Sequence, residues 1–232
     1  MPAVEGVRPP SGPLWVHEIK HDGYRLMVRR DGVRVRCFTR NGHDWADRFP
    51  AIVDAAKRIK TASFLIDGEA VIACDDGTPD FRALRSKHRG HEAVWFAFDL
   101  IEHDGADLRD LPLIERKRRL ARLIGRAKHA IRFVEHPTDD GPTVFDHVCR
   151  MGLEGIVSKR TDAPYRSGPS RCGSSPRTQP ARRCAGNVRK TGTADQASLI
   201  EQVALHLALL QPQQPVRLSL VVVGLHWRHQ LG

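Results

Sequence analysis

Residues 24 to 39 read as two β-strands folded back on each other at Asp31-Gly32, and that hairpin limits what the rest of the chain can build. Tyr24 to Arg30 is one strand and Val33 to Thr39 the other, and Asp-Gly is a favoured tight turn between antiparallel strands. In the second strand Val33, Val35 and Cys37 face one way while Arg34, Arg36 and Phe38 face the other, the period of two of a half-buried strand. Ser63 to Ala73 is a buried strand interrupted by Asp67-Gly68-Glu69. Ala93 to Glu102 is another strand, and Ile131 to Glu135 and Gly155 to Lys159 are shorter ones. Helical spacing lies between them. Residues 45 to 60 place Ile52, Ala55, Ala56 and Ile59 on one face, Asp80 to Lys87 turns Phe81 and Leu84 inward, and Pro112 to Ile124 and Thr143 to Met151 are amphipathic. Hairpin strands with interspersed helices predict an α+β fold of largely antiparallel sheets, not a doubly wound parallel one.

The stretch that carries chemistry is His17-Glu18-Ile19-Lys20-His21-Asp22-Gly23-Tyr24-Arg25. It follows the apolar run Leu14, Trp15, Val16 and sets a lysine beside a turn signal. On these residues alone, Lys20 is either a solvated lysine at the start of a hairpin through Asp22-Gly23 or a reactive group at a strand end. Glu18, two positions before Lys20, points to the same side of a strand, and so do Asp67 and Glu69, an arrangement suited to a divalent cation. Arg116, Lys117, Arg118 and Arg119 in the third helix read as a solvated face.

Net charge is +10 over 232 residues, a balance that favours polyanions, with nucleic acid ahead of an anionic membrane surface. The five cysteines, Cys37, Cys74, Cys149, Cys172 and Cys184, form no Cys-x-x-Cys pair and are odd in number, which predicts reduced thiols without a zinc site. No apolar run reaches membrane-spanning length, and the N-terminus lacks the apolar core of a signal peptide, so a cytoplasmic protein is expected.

Lys20-His21-Asp22-Gly23-Tyr24-Arg25 resembles the Lys-x-Asp-Gly-x-Arg signature of covalent nucleotidyltransferases, the superfamily of ATP-dependent DNA ligases, RNA ligases and mRNA capping enzymes. The later motifs follow in the family's order: Phe38-Thr39-Arg40-Asn41-Gly42, Ile66-Asp67-Gly68-Glu69, Phe96-Ala97-Phe98-Asp99 and Glu154-Gly155-Ile156-Val157-Ser158-Lys159. The wording is nearest to bacterial ligases of the ligase D kind, over roughly residues 9 to 171. The resemblance implies an ATP-grasp-like nucleotidyltransferase domain at 14–171 whose antiparallel sheets enclose a nucleotide cleft. It implies Lys20 as the nucleophile that takes AMP from ATP, Glu18 as the reader of the adenine amino group, and Phe98 as the ring that stacks on the base. It places Arg25, Arg40 and Lys159 on phosphate and ribose, Glu69 on ribose or metal, and Asp67, Glu69 and Glu154 on Mg²⁺ or Mn²⁺. Nicked double-stranded DNA, and by analogy end-joining repair proteins, are the partners it implies, for a monomer associated with the bacterial nucleoid and not with membrane. An RNA ligase or capping-type enzyme and a non-catalytic ATP- or DNA-binding remnant are the competing readings.

Residues 1–13, rich in Pro and Gly, read as an extended lead-in, and 162–171 as an extended loop. After Arg171-Cys172 the pattern breaks. The family's aromatic pair and Lys-x-Lys are replaced by Gly173-Ser174-Ser175-Pro176-Arg177-Thr178. Since a tryptophan codon read one base late begins with GG, residues from about 173 are read as a frameshifted tail, testable in the neighbouring reading frame. Residues 172–198 are expected to be disordered, 199–210 helical and 216–225 a strand, too little for the OB-fold domain that follows in family ligases.

Overall fold

A computed structural model describes residues 9–74, 79–125, 130–138, 140–151 and 153–166, together with the backbone of 182–183. In chain order the elements are β1 (Trp15–Ile19), β2 (Tyr24–Asp31), β3 (Arg34–Thr39), α1 (Pro50–Lys57), β4 (Ser63–Val71), α2 (Phe81–Arg85), β5 (Val94–His103), β6 (Ala106–Asp107), α3 (Leu113–Ile124), β7 (Ile131–Phe133), α4 (Gly141–Arg150), β8 (Gly155–Arg160) and β9 (Arg182–Arg183). They form the α+β architecture expected. A larger sheet runs β3-β2-β4-β5-β6, with β7 parallel to β5, and a smaller one runs β1-β8-β9. Every other pairing is antiparallel. Among the described residues there is no closed barrel, and no helix is long and apolar enough to cross a membrane.

The hairpin reading of Asp22-Gly23 does not hold. β1 pairs with β8, Glu18 opposite Val157, while β2 pairs with β3 and β4. Residues 20–23 therefore carry the chain from one sheet to the other. A turn signal speaks only for adjacent strands, and here the partner of β1 comes from the far end of the domain.

Alternation along the strands gives the large sheet two unlike faces. Leu26 and Val28 of β2, Phe64, Ile66 and Ala70 of β4 and Trp95 and Ala97 of β5 pack with Ile52 and Ala56 of α1 and Leu120 and Ile124 of α3. Each large apolar side chain sealed there contributes about 1.5–3 kcal/mol. Arg25, Asp67, Glu69, Val71, Phe96 and Phe98 alternate with these residues and form the other face, where Val71 and Phe96 make a small cluster with Val134. A third cluster, Val144, Val148 and Ile156, fixes α4 to the small sheet.

β4 runs unbroken through Asp67-Gly68-Glu69, where an interruption was expected; its register instead shifts against β5 between Leu65 and Ile66 and between Asp67 and Gly68. Gly68 is required by close approach, because a Cβ there would stand 2.4 Å from Trp95 Nε1 and 2.7 Å from the Phe96 carbonyl oxygen.

Other expectations shift locally. Val33 lies in the turn, 92% exposed, and Phe81 is 42% exposed at the first position of α2. The helix expected at 45–60 is a 3-10 turn at Ala46–Arg48 followed by α1, which starts at Pro50, where the fixed proline φ suits a first turn. The lead-in is not free: a Cβ on Gly141 would meet the Pro10 carbonyl at 2.2 Å, so the residues before β1 lie against the start of α4. Cys37 and Cys74 are free thiols. Cys149, expected reduced, is disulfide-bonded, since an odd count does not prevent one bridge. The readings at 172–232 lie outside the described residues, except that the backbone of Arg182–Arg183 pairs with Gly155–Ile156 in a stretch expected to lack structure.

Candidate active site

Lys20 stands one residue beyond β1, and its backbone N–H donates to the Gly155 carbonyl at 2.8 Å. Its ammonium is paired with the Glu154 carboxylate, and the two side chains are 21% and 17% exposed. The link then passes over the second face of the large sheet. The His21 ring stacks on Phe96 with centroids 4.0 Å apart and planes 20° apart. Gly23 N–H donates to Glu69 Oε1 at 3.2 Å. A Cβ at Gly23 would come within 2.1 Å of the Ala70 carbonyl oxygen, so the Asp-Gly step serves close approach to β4, not a hairpin. Burial pulls the His21 imidazole down to about 4, so it is neutral, and its Nδ1 is buried without a partner.

Arg25, second in β2, forks onto Asp67, Nε to Oδ1 at 3.0 Å and Nη2 to Oδ2 at 2.6 Å. The Tyr165 hydroxyl donates to the same Oδ2 at 3.0 Å. Asp67 is fully buried, and both its oxygens are engaged by protein donors. This arrangement does not offer Asp67 to a metal in partnership with Glu69, as the sequence had suggested; it makes Asp67 the anchor of Arg25. Glu69 is half-buried. Burial pushes its carboxyl up to about 7 against the pull of Gly23 N–H and Arg25.

The other charged centre surrounds Glu18, whose side chain is 4% exposed and bridges two lysines: Lys117 Nζ lies 2.8 Å from Oε1 and Lys159 Nζ 2.6 Å from Oε2. Burial raises the Glu18 carboxyl, but the two lysines outweigh it and hold it at about 2. Burial likewise lowers Lys117, and Glu18 offsets it. Lys117 is wholly buried and Arg116 is 2% exposed on the Asp99 carboxylate, whereas Arg118 is 64% exposed. The expected solvated face is therefore half wrong. Arg116 and Lys117 lie on the same helical stripe as Leu113, Leu120 and Ile124, which face the core, and that spacing was the available signal.

Lys159 also lies over the Phe98 ring, 4.3 Å from its centroid, with the Arg25 guanidinium at 5.9 Å. Of the residues expected at the site, Glu18, Lys20, Arg25, Asp67, Glu69, Phe98, Glu154 and Lys159 come together around the link between the sheets. Arg40 stands apart, exposed in the turn after β3. Sequence reasoning missed Lys117, the His21–Phe96 stack and Tyr165.

The arrangement fits a polyanionic nucleotide: Lys20, Arg25 and Lys159 supply three cations beside an accessible aromatic ring, and a buried imidazole nitrogen of His21 without a hydrogen-bond partner lies next to Lys20. Among the described residues no group of three or more His, Cys, Asp or Glu side chains is arranged to hold a metal ion. A metal that keeps one or two protein carboxylates and takes its other ligands from phosphate and water needs no such group.

Comparison with known proteins bears on the whole domain. A family model described as an ATP dependent DNA ligase domain matches residues 5–174. The multifunctional non-homologous end joining protein LigD of Pseudomonas aeruginosa is 41% identical over 164 residues, covering 69% of this chain and 19% of the relative. A probable DNA ligase of Streptomyces coelicolor is 36% identical over 165 residues, covering 65% of this chain and 32% of the relative. This chain thus spans a third or less of these relatives. The structure of mycobacterial DNA ligase D complexed with ATP and MES superposes with a TM-score of 0.59 at 30% identity, over 69% of this chain and 55% of that one. The ligase domain of Mycobacterium tuberculosis LigD gives 0.58 at 29% identity, over 68% and 55%. With most of its length matched, and with four of its five motifs gathered where the two sheets meet, the chain belongs to the ATP-dependent DNA ligase domain family and is of the ligase D type.

Proposed function

We propose that this chain is the catalytic core of a DNA ligase that seals nicks through a lysyl-AMP intermediate. The observation that carries the reading is the position of Lys20: beyond the end of β1, part-exposed, paired with Glu154, and above the sheet face that holds Arg25, Glu69 and Phe98. A lysine must lose its proton to attack; with the Glu154 carboxylate taken from the amine by a metal, and the Arg25 and Lys159 cations nearby, the free amine would be favoured. Lys20 Nζ forms a bond to the α-phosphorus of ATP, and the bond from that phosphorus to the bridging oxygen of pyrophosphate breaks. The AMP then passes to a 5′-phosphate at a nick, and the neighbouring 3′-hydroxyl displaces it.

The other residues bind and orient. Phe98 stacks on the base. The Glu18 carboxylate holds Lys117 and Lys159 in place, and contact with the adenine amino group falls to the Glu18 position on β1. Arg25 and Lys159 meet phosphate and Glu69 meets the ribose, while Arg40, apart from them in the turn after β3, is assigned to the nucleotide by its motif alone. Mg²⁺ or Mn²⁺, held by Glu154 and Glu69 together with nucleotide phosphates, would neutralise phosphate charge and favour departure of pyrophosphate. Residues 14–171 are the adenylation domain. Nicked duplex DNA is the polynucleotide partner, in the bacterial cytoplasm, with end-joining proteins as companions and a monomer as the working unit.

The sequence after Arg171, which lacks Lys-x-Lys, favours a second reading in which the chain binds ATP or DNA without forming the covalent adduct. Self-adenylylation separates the two. The chain is incubated with Mg²⁺ and α-labelled ATP and then denatured, with Lys20→Ala alongside. Label on the wild type and none on the variant supports the ligase core; a folded, ATP-binding wild type without label supports the binding reading. Competition by GTP addresses the capping-type alternative.

A further inference from the structure

Asp67 and Asp99 lie directly opposite each other on β4 and β5, two buried carboxylates in register. Like charges so placed repel, so each needs its own cation. They are neutralised from different sides: Arg25 reaches Asp67 from β2, and Arg116 reaches Asp99 from α3 with Nε at 2.7 Å and Nη2 at 3.0 Å. Tyr165 stands between the two pairs. Its ring lies 6.0 Å from the Arg116 guanidinium carbon, and its hydroxyl donates to Asp67 Oδ2 at 3.0 Å.

We propose that Tyr165 is a positioning residue for Arg25: its hydroxyl completes the donors on Asp67 and so holds the Arg25 fork in the one orientation that leaves its remaining N–H groups facing the cleft. The role of those N–H groups rests on the reading of Arg25 as a phosphate contact; the positioning itself does not.

Three observations support the assignment. Arg25 is 51% exposed and Asp67 is not exposed at all, so a long, half-solvated side chain is held at one end only. A buried carboxylate oxygen left with a single donor exchanges protein contact for water more readily than one with two. Tyr165 is brought to Asp67 by bonds that do not involve its hydroxyl. Its own N–H donates to the Arg109 carbonyl at 2.7 Å, Arg116 Nη1 donates to the Ala163 carbonyl at 3.1 Å, and Thr161 N–H donates to the Leu14 carbonyl at 2.9 Å. Burial, and then the Asp67 charge, push the Tyr165 phenol up to about 12, so it remains a donor throughout the physiological range.

Tyr165→Phe removes the hydroxyl and leaves this docking intact. In the full chain, hydrogen exchange at arginine Nε–H, followed by ¹⁵N NMR, reads the position of Arg25 without any ligand, with Arg25→Lys to assign the signal. Exchange at Arg25 Nε–H should accelerate about tenfold in Tyr165→Phe, the equilibrium worth of one hydrogen bond to a charged group, while Arg116 Nε–H, bonded to Asp99, should not change. Equal Arg25 exchange in the two proteins overturns the proposal, and so does equal acceleration at Arg116, which would mean general loosening. Calorimetry with ATP and with adenosine gives the functional arm: Tyr165→Phe should weaken ATP about tenfold and leave adenosine within about twofold. Equal weakening of both overturns the phosphate-directed role. A wild type that binds neither ligand sinks the nucleotide reading, and the exchange measurement then decides the positioning on its own.

Discussion

Replacing Glu18 by glutamine keeps the shape of the side chain and removes the carboxylate that pairs directly with Lys117, leaving only the more distant Asp99 and Glu135. Lys117 is wholly buried with its Nζ 2.8 Å from Glu18 Oε1, so Glu18→Gln leaves a sealed ammonium without a carboxylate in contact. Removing one partner of a buried ion pair costs about 3–5 kcal/mol. At roughly 2–4 °C per kcal/mol for a domain of this size, melting should fall by about 6–20 °C at pH 7. Proton linkage at the same contacts gives the same order. The Glu18 carboxyl is held at about 2 in the fold against an ordinary 4.5. That lowering is worth roughly 3 kcal/mol. A depressed carboxyl contributes its stability above its unfolded value and loses it as pH falls through the folded one, so the wild type should lose this contribution between 4.5 and about 2. Thermal melts by circular dichroism, without nucleotide, from pH 7 downwards, test both claims. Glu18→Gln should start lower and respond less to acid, and Glu18→Gln with Lys117→Met should recover much of the loss, because a neutral pair needs no compensation. A single variant melting within about 2 °C of wild type, with the same acid slope, would refute the reasoning.

Gly68→Ala should destabilise by about 1–3 kcal/mol in urea titration, since its Cβ would meet the Trp95 indole nitrogen at 2.4 Å and neither backbone nor buried indole can yield cheaply. His21 should titrate by NMR with a midpoint near 4 where an ordinary histidine shows 6.5, and its contribution to stability should disappear as pH falls between those values, because the unfolded chain takes the proton first. Glu69, raised to about 7 from 4.5, has the opposite sign: its burial costs stability as pH rises through that window, so Glu69→Gln should melt above wild type at pH 8 and near it at pH 4.

The strands are legible in the sequence because alternation is a local signal, and Arg34–Thr39, Ser63–Val71 and Val94–His103 fall close to the expected runs. Their pairing is less legible. Asp31-Gly32 does join neighbouring strands, and Asp22-Gly23, with the same two residues, does not; the difference lies in β8, which takes β1 as its partner from across the domain. Charge misleads for a related reason. Arg116 and Lys117 look solvated because they are charged, yet the stripe they share with Leu113, Leu120 and Ile124 turns them inward, where Asp99 and Glu18 wait on strands that the helix sequence does not mention. The missed tyrosine is similar, since its partner Asp67 lies 98 residues away.

The pairing of β1 with β8 also explains how two lysines and two glutamates sort themselves. Antiparallel register sets Lys159 opposite Val16 and Glu18 opposite Val157, so Lys159 and Glu18 are diagonal neighbours and reach each other inside the sheet. Lys20 and Glu154 lie just beyond the paired ends of the same two strands and meet there. The inner pair gains a third member, Lys117, and Glu18 is almost fully sealed; the outer pair keeps both partners part-exposed. The two lysines are almost equally exposed, 21% and 19%, but Lys20 faces a part-exposed carboxylate beyond the strand ends, while Lys159 shares a sealed one with Lys117. Motif order alone names both lysines as site residues. The strand register separates them, one to a pair beyond the strand ends and the other to a pair inside the sheet.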